Sequence, residues 1–191
     1  MGTRAGLSYQ VLIETAANIA DQSGLDNVTL TAIAEALGVR KPSLYNHIQG
    51  LPDLRRGLAV FGSRELKARI SGAAIGKAGR DAIHAVAAAY RNFAHERPGL
   101  YQGIVSRAYR DDQLVKVATQ ELMAVLYAVL QPYHLPEHEL IHAVRGLRSI
   151  MHGFVALEAG GWFAQPADRE KSFMQLVDTF IRGLEVVADE H

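Results

Sequence analysis

Basic and hydrogen-bonding side chains are concentrated in one short stretch of the chain, between residues 29 and 47. Lysine and arginine neutralise phosphates, while serine, asparagine and histidine exchange hydrogen bonds with base edges. A short segment that gathers these residue types indicates contacts with nucleic acid. The candidate DNA-binding residues are Thr29, Thr31, Arg40, Lys41, Pro42, Ser43, Tyr45, Asn46 and His47.

The residues around these side chains predict two short helices joined by a tight turn. The first covers roughly Thr31–Leu37, and its apolar residues lie three and four apart on one face. Gly38 follows where a chain leaving a helix often adopts the left-handed conformation. The second helix covers Lys41–His47, with Pro42 in its first turn, where the missing N–H costs no hydrogen bond. This pattern predicts a helix-turn-helix that reads DNA.

The expected contacts divide into those with phosphates and those with base edges. Phosphate contacts are expected from Thr31, Lys41 and Tyr45. Candidates for base contacts or further backbone contacts are Arg40, Ser43, Asn46 and His47. Thr29 and Thr31 lie near the N-terminus of the first helix, where a hydroxyl either caps the helix or accompanies N–H groups that bind a phosphate. The sequence leaves both alternatives open.

Three groups of residues in this stretch have a specific spacing: Ile33-Ala34, Gly38-Val39, and Ser43-Leu44-Tyr45 followed by His47-Ile48. With them the stretch resembles the N-terminal domain of the tetracycline-repressor (TetR) family. The resemblance implies a homodimeric transcriptional regulator, most often a repressor, that binds a palindromic double-stranded DNA operator and responds to a small-molecule effector. Relatives usually carry a backbone-binding lysine where this chain has Leu51, and Arg55 and Arg56 are candidates to replace it.

The charge of the chain supports this interpretation only when it is resolved along the sequence. The 191 residues have a net charge of zero, but residues 8–37 contain four acids and no lysine or arginine. Residues 38–69 contain seven bases and two acids, a local charge of +5. Because the basic segment coincides with the motif, we interpret it as a modest electrostatic footprint for DNA. The absence of cysteine excludes disulfides and cysteine-based zinc sites.

Helical patterns continue along the whole chain, without an alternating strand pattern or an internal repeat. We therefore predict an all-α fold of about nine helices. Beyond the motif, the expected helices cover about 8–23, 53–70, 81–96, 100–108, 111–131, 136–160 and 168–187. The glycine-rich segment Ser71–Gly79 is the clearest candidate boundary between helices. The predicted domains are a helix-turn-helix DNA-binding domain, 1–52, and a helical effector-binding and dimerisation domain, 53–191.

A ridge of small residues follows one side of the helix expected at 136–160. Small residues three and four apart allow another helix to approach closely, either within the subunit or across a dimer interface. The candidate dimer residues on this helix and the last one are Gly146, Ser149, Gly153, Ala156, Gly160, Phe173 and Phe180. The run Met151-His152-Gly153 also resembles a TetR subgroup with a Trp-His-Gly signature, in which Met151 replaces tryptophan.

The family resemblance implies an effector pocket among the helices of the larger domain. Aromatic side chains and a histidine there are candidates to line it, although aromatic residues at helical spacing are also typical of a plain core. The candidate effector-binding residues are Tyr90, Phe93, Tyr101, Tyr127 and His152.

An alternative function comes from His138-Glu139-Leu140-Ile141-His142, which matches the HExxH pattern of zinc hydrolases. Two histidines four apart share a helix face, and the glutamate between them serves such enzymes as general base. Pro136 interrupts a helix that would add His134 as a third ligand. A third hypothesis is a helical interaction module that does not bind DNA. We predict a regulator rather than an enzyme, with no cofactor and no metal.

The sequence predicts a cytoplasmic protein that does not associate with a membrane. Residues 1–8 contain no apolar stretch typical of a signal peptide. The longest strongly apolar run, Leu122–Leu130, is far shorter than the ~20 residues that cross a bilayer.

Overall fold

A computed structural model of the chain describes residues 6–109 and 111–189, and nine α-helices occupy most of them. No strand occurs among these residues, so the predicted all-α fold of about nine helices is confirmed. The helices are α1 Tyr9–Ser23, α2 Leu30–Leu37, α3 Lys41–Leu44, α4 Leu51–Ala74, α5 Gly79–Glu96, α6 Pro98–Val105, α7 Gln113–Leu130, α8 Glu137–Ala159 and α9 Arg169–Asp189.

The described residues form two compact units. The first comprises the chain up to Glu65 together with Glu96–Thr119, and the second comprises Leu66–His95 and the chain from Gln120 onward. Helices α4 and α7 each contribute residues to both units. These units describe packing and not function. The predicted boundary between the DNA-binding domain and the effector-binding domain, between residues 52 and 53, therefore stays a prediction.

In the first unit, α6 approaches the C-terminal end of α1 so closely that only glycine fits at the contact. A Cβ atom added at Gly99 would lie 2.1 Å from the carbonyl carbon and oxygen of Ala20. Both are backbone atoms of a helix and cannot rotate away as a side chain does. Helix α1 also packs against α2, and its inner face is fully buried.

A network of charged groups holds the same contact together. Arg97, at the start of α6, pairs with the carboxylates of Asp21 on α1 and Glu65 on α4. The second oxygen of Asp21 accepts a hydrogen bond from the backbone N–H of Leu100 at 3.0 Å. Three helices of the first unit are therefore joined through one guanidinium group.

In the second unit, a buried ion pair joins the end of α5 to the end of α8. Arg91 donates two hydrogen bonds to Glu158, at 2.9 and 2.7 Å, and His95 Nε2 lies 2.8 Å from the same carboxylate. The hydrogen bond from Arg91 lowers the pKa of Glu158, and that from His95 lowers it further. Only 8% of the Glu158 side chain is exposed, so its charge depends on these partners.

Several helices differ in length from the prediction. Helix α4 continues through Ser71 to Ala74 and ends before Gly76, which has a φ of +72°. Small residues such as Ala73 and Ala74 favour a helix, so the composition of this segment did not mark its end. The short helix expected at 100–108 begins earlier, at Pro98, and ends at Val105, with a separate 3₁₀ turn after it.

One stretch, Gln113–Tyr133, is long and apolar enough to cross a membrane when only its length and composition are considered. Its mean hydropathy is 1.3. The core helix of a soluble protein passes the same test, and α7 buries a regular apolar face inside the protein: Val115, Ala118, Leu122, Leu126, Val129 and Leu130. Because 33% of this apolar window is buried inside the protein, we interpret α7 as a helix that packs on one face rather than as a membrane span.

Replacing Gly99 with alanine should destabilise the protein by about 1–3 kcal/mol, because the new methyl group overlaps the backbone of Ala20. Gly103→Ala is the matched control in the same helix, since nothing lies within 4 Å of a Cβ at that position. The control should be neutral or gain up to about 1 kcal/mol from higher helix propensity. Urea unfolding measures both, and equal stability of the two variants would contradict the close contact.

Glu158→Gln should cost about 3 kcal/mol, because it removes the carboxylate that pairs with the largely buried Arg91 guanidinium and leaves only the nearby charges of Glu170 and Asp168. In the wild type, the contribution of this carboxylate is complete above its ordinary pKa of about 4.5 and is lost as the pH falls through the lower folded value. Urea unfolding of wild type and variant from pH 7 to pH 3 should therefore converge at the acid end. Glu137→Gln, an exposed acid on α8, is the control; a constant difference at every pH would contradict the pairing.

Candidate DNA-binding site

Helix α2 begins and ends with local hydrogen bonds that its sequence encodes. The Thr29 hydroxyl accepts a hydrogen bond from the N–H of Ala32 at 3.1 Å and therefore caps the helix. At the other end, Gly38 adopts the left-handed conformation, with φ +65° and ψ +32°. The N–H of Val39 then donates to the carbonyl of Ala34 at 2.9 Å. This turn fixes the direction in which the chain enters the next helix.

Helix α3 is shorter than the sequence indicated. The predicted helix Lys41–His47 is wrong at its C-terminal end, because the α-helix ends at Leu44 and residues 45–47 form a turn. In this turn the backbone hydrogen bonds reach three residues back instead of four. The N–H of Tyr45 donates to the carbonyl of Pro42, and the N–H of His47 donates to the carbonyl of Leu44. The backbone still advances in a helical direction, so the polar side chains stay together.

The candidate DNA-binding residues form an accessible surface around α3. Seven of the nine are exposed: Thr29, Thr31, Arg40, Lys41, Pro42, Tyr45 and Asn46. Ser43 and His47 are half-buried. The Tyr45 side chain is 56% exposed, although tyrosine usually buries its ring, and Leu44 and Ile48 beside it are buried. The apolar side of α3 thus faces the core of the unit, and its polar side faces solvent.

The Thr29 cap answers one question that the sequence left open. Its hydroxyl serves as a helix cap in the protein alone, and Thr31 in the first turn of α2 is exposed. Phosphate binding at the N-terminus of α2 stays a prediction.

The basic segment divides into cations with a structural partner and cations without one. Arg56 pairs with Asp53 and with Asp112, so it supports the start of α4 rather than offering a free charge. Lys67 pairs with Glu121 at 2.9 Å in the second unit. Arg40, Lys41 and Arg55 pair with no carboxylate in the described part of the chain.

The start of α4 is fixed by Asp53. Its carboxylate accepts a hydrogen bond from the N–H of Gln49 at 2.9 Å and also receives Arg56. Leu51 is the first residue of α4, so the expected lysine position lies at this helix start. Arg55 follows one turn later, and its Nε is buried without a hydrogen-bond partner. Of the two candidates to replace the lysine, only Arg55 is therefore available.

Comparison with known proteins identifies the family. The family described as "Bacterial regulatory proteins, tetR family" matches residues 12–48, and "Tetracyclin repressor-like, C-terminal domain" matches residues 83–180. The HTH-type transcriptional regulator YobS of Bacillus subtilis (strain 168) is 36% identical over 184 residues, which cover 96% of each chain. The chain belongs to the TetR family. It is a DNA-binding transcriptional regulator and not an enzyme.

Solved structures share the TetR fold along nearly the whole chain. A protein from Rhodococcus sp. RHA1 superposes with a TM-score of 0.83 at 22% identity and covers 97% of both chains. A TetR variant from Acinetobacter baumannii AYE, in complex with minocycline, has a TM-score of 0.70 at 18% identity, covering 95% of this chain and 98% of its own.

The HExxH residues lie at the start of α8 in this TetR-family protein. His138 and His142 are exposed, and His138 Nε2 lies 3.5 Å from Glu139. Among the described residues, no three histidine or acidic side chains are arranged to hold one metal ion. The family, rather than this arrangement, excludes the zinc-hydrolase alternative.

The candidate dimer residues occupy different environments. Ser149 and Ala156 are exposed on α8, and Gly153 has open space where a Cβ would be. Gly160 follows the last residue of α8 and lies against the Trp162 ring. Gly146 instead packs against the ring of Phe180 on α9 within the subunit. Phe173 has no exposed surface and packs against Phe154 at 5.0 Å, so its prediction as a dimer residue is wrong.

The candidate effector residues do not form one group. Tyr90 and Phe93 are buried on α5, and Tyr127 and His152 are half-buried on α7 and α8, all in the second unit. Tyr101 is buried in the first unit, because α6 folds with α1, and its place in an effector pocket stays a prediction. Burial and the nearby charge of Arg148 lower the pKa of His152.

Arg55→Gln should weaken DNA binding and reduce the slope of log affinity against log salt concentration by about 1, because one phosphate contact is removed. Arg64→Gln is the matched control, since Arg64 is an exposed arginine further along the same helix. Fluorescence anisotropy at several salt concentrations measures both slopes. An unchanged slope in R55Q, or an equal change in R64Q, would sink the assignment.

Proposed function

We propose that this TetR-family regulator is a homodimeric repressor that binds a palindromic operator and is released by a small-molecule effector. The observation that carries the proposal is the surface around α3, where Lys41 of the helix and Tyr45 and Asn46 of the following turn are exposed. Leu44 and Ile48 beside them are buried and anchor this segment. Arg40 precedes this segment in the sequence and Arg55 follows it, and neither pairs with a carboxylate in the described part of the chain.

On DNA, α3 enters the major groove, and two copies read half-sites one helical turn apart, about 34–36 Å. Lys41, Tyr45 and Thr31 bind phosphates, together with the N-terminus of α2. Arg40 before α3, Ser43 on α3, and Asn46 and His47 in the turn after it reach base edges or further backbone groups. Because α3 has only four helical residues, few side chains can read bases, and phosphate contacts supply most of the affinity.

The second subunit packs against the exposed ridge of α8. Ser149, Gly153 and Ala156 offer a surface without large side chains, which permits a close helix–helix approach, whereas Gly160 lies under the Trp162 indole. Phe180 lies over Gly146 at one end of this ridge and joins α9 to it. A two-fold axis at this surface would give the symmetry that a palindromic operator requires.

An effector acts by binding one conformation of the dimer better than the other. Its differential affinity weakens DNA binding by linkage, typically by about 1–3 kcal/mol. The minocycline complex of a structural neighbour supports small-molecule binding on this fold. A regulator of this kind acts where the DNA is, so we place the protein in the cytoplasm.

Tyr45→Ala should lower operator affinity by about tenfold to a hundredfold, since a hydrogen bond to a charged group is worth about 1.5–3 kcal/mol. Tyr45→Phe keeps the ring and removes only the hydroxyl, so it isolates the phosphate contact. Anisotropy against DNA flanking its own gene, backed by random genomic fragments, measures affinity, and size-exclusion chromatography checks the dimer. Unchanged affinity in both variants, or a dissociated dimer, would count against the proposal.

A further inference from the structure

A cavity of roughly 260 Å³ lies where the end of α8 and the start of α9 flank the connecting segment 160–168. We call it the aryl cavity, after the rings of Phe154, Trp162 and Phe163 in its lining. All of its lining residues belong to the second unit. Its volume lies just below the range of about 300–1,000 Å³ that is typical of small-molecule pockets, so its occupant would have one or two rings.

Two of the rings are fixed by their surroundings. Phe154 packs at a tilt against Phe163, with centroids 4.8 Å apart, and against Phe173, at 5.0 Å. The guanidinium carbon of Arg91 lies 5.9 Å from the Phe154 ring centroid, and its pairing with Glu158 holds it there. These two rings of the wall are therefore packed in place before any ligand binds, which lowers the entropic cost of binding.

The third ring is held in place but remains accessible. The Trp162 side chain is 75% exposed, an unusual position for the largest apolar side chain. Its backbone N–H donates to the carbonyl of Leu157 at 3.0 Å, and its indole lies against Gly160, where a Cβ would be 2.7 Å from the ring. One indole face is thus available for stacking, in a fixed orientation.

The only charged side chain that lines the aryl cavity is Arg169, and it pairs with no carboxylate in the described part of the chain. Its neighbour Asp168 does not line the cavity, since its carboxylate caps α9 by accepting the N–H of Lys171 at 3.1 Å. Gln165 and Ser172 add polar groups to the lining. The cavity therefore combines aromatic walls with one available positive charge, which disfavours a cationic ligand.

We propose that the aryl cavity binds a planar aromatic carboxylic acid. The aromatic ring stacks on Trp162 beside Phe154 and Phe163, and the carboxylate pairs with Arg169. This site is separate from the DNA-binding surface, and its occupancy does not require that the repressor assignment be correct.

The test uses the one tryptophan in the chain, whose indole N–H gives a single resonance in a ¹⁵N-labelled sample. The full-length protein is titrated with naphthalene-1-carboxylate, with the uncharged naphthalene-1-carboxamide as the matched probe. We expect a saturable shift of the Trp162 indole resonance with the acid and about tenfold weaker binding of the amide. No saturable shift with the acid, or equal affinity for both probes, would overturn the proposal.

Two variants locate the charge preference. Arg169→Gln should bind both probes equally weakly, whereas Arg145→Gln, an exposed arginine of α8 outside the cavity, should keep the preference of the wild type. If R169Q still bound the acid more tightly than the amide, the proposal would be overturned. The cavity could instead hold a side chain of a second subunit. In that case Trp162→Ala would dissociate the dimer and the acid would not bind to the wild type, which would also overturn it.

Discussion

The packing of Gly99 against the backbone of Ala20 is the contact on which the DNA-binding unit depends. Apart from Asp21, the face of α1 that packs against α2 and α6 is apolar, and apolar burial alone would let these helices slide along one another. Gly99 sets the distance between α6 and α1. The pairing of Arg97 with Asp21 and Glu65 sets the position of α6 along its neighbours. Because α2 packs on α1, and α3 packs on α2, the position of the polar surface around α3 follows from this contact.

Charge has two roles in this protein, and they are separated along the sequence. Arg56, Arg91 and Arg97 are committed to carboxylates of neighbouring helices, where they fix geometry. The unpaired cations Arg40 and Lys41 lie at the start of α3. Net charge cannot show this division, since the paired groups cancel and only the unpaired ones create a field toward DNA. A neutral chain is therefore compatible with a basic DNA-binding surface.

Local structure followed the sequence closely because local hydrogen bonds decide it. The Ser8 hydroxyl caps α1 by accepting the N–H of Val11, and Gly38 adopts the left-handed conformation that ends α2. The all-α fold and the family followed from such signals. The C-terminal end of α3 was not predicted, because residue types do not show where hydrogen bonds to the fourth residue back give way to hydrogen bonds to the third.

Residues whose role depends on distant contacts could not be placed from helical periodicity. Phe173 and Phe180 lie about two turns apart on α9, so helical periodicity places them on the same face. In the structure Phe173 is completely buried, whereas Phe180 lies over Gly146. Tyr101 belongs with α1 only because Gly99 permits the approach of α6. For Trp162, the glycines before it indicated a turn but not an exposed indole, since exposure depends on how α8 and α9 pack.

The HExxH match shows the same limit in a chemical motif. Spacing places His138 and His142 on one helix face, but a catalytic zinc needs a third protein ligand and an open position for water. That third ligand must come from elsewhere in the fold, so the five-residue pattern carries little information by itself. The helix-turn-helix is different, because its function requires only local geometry: a cap, a left-handed glycine, and polar side chains on a helix whose other side is buried. All of these are encoded within twenty residues, which is why the helix-turn-helix could be predicted and the cavities could not.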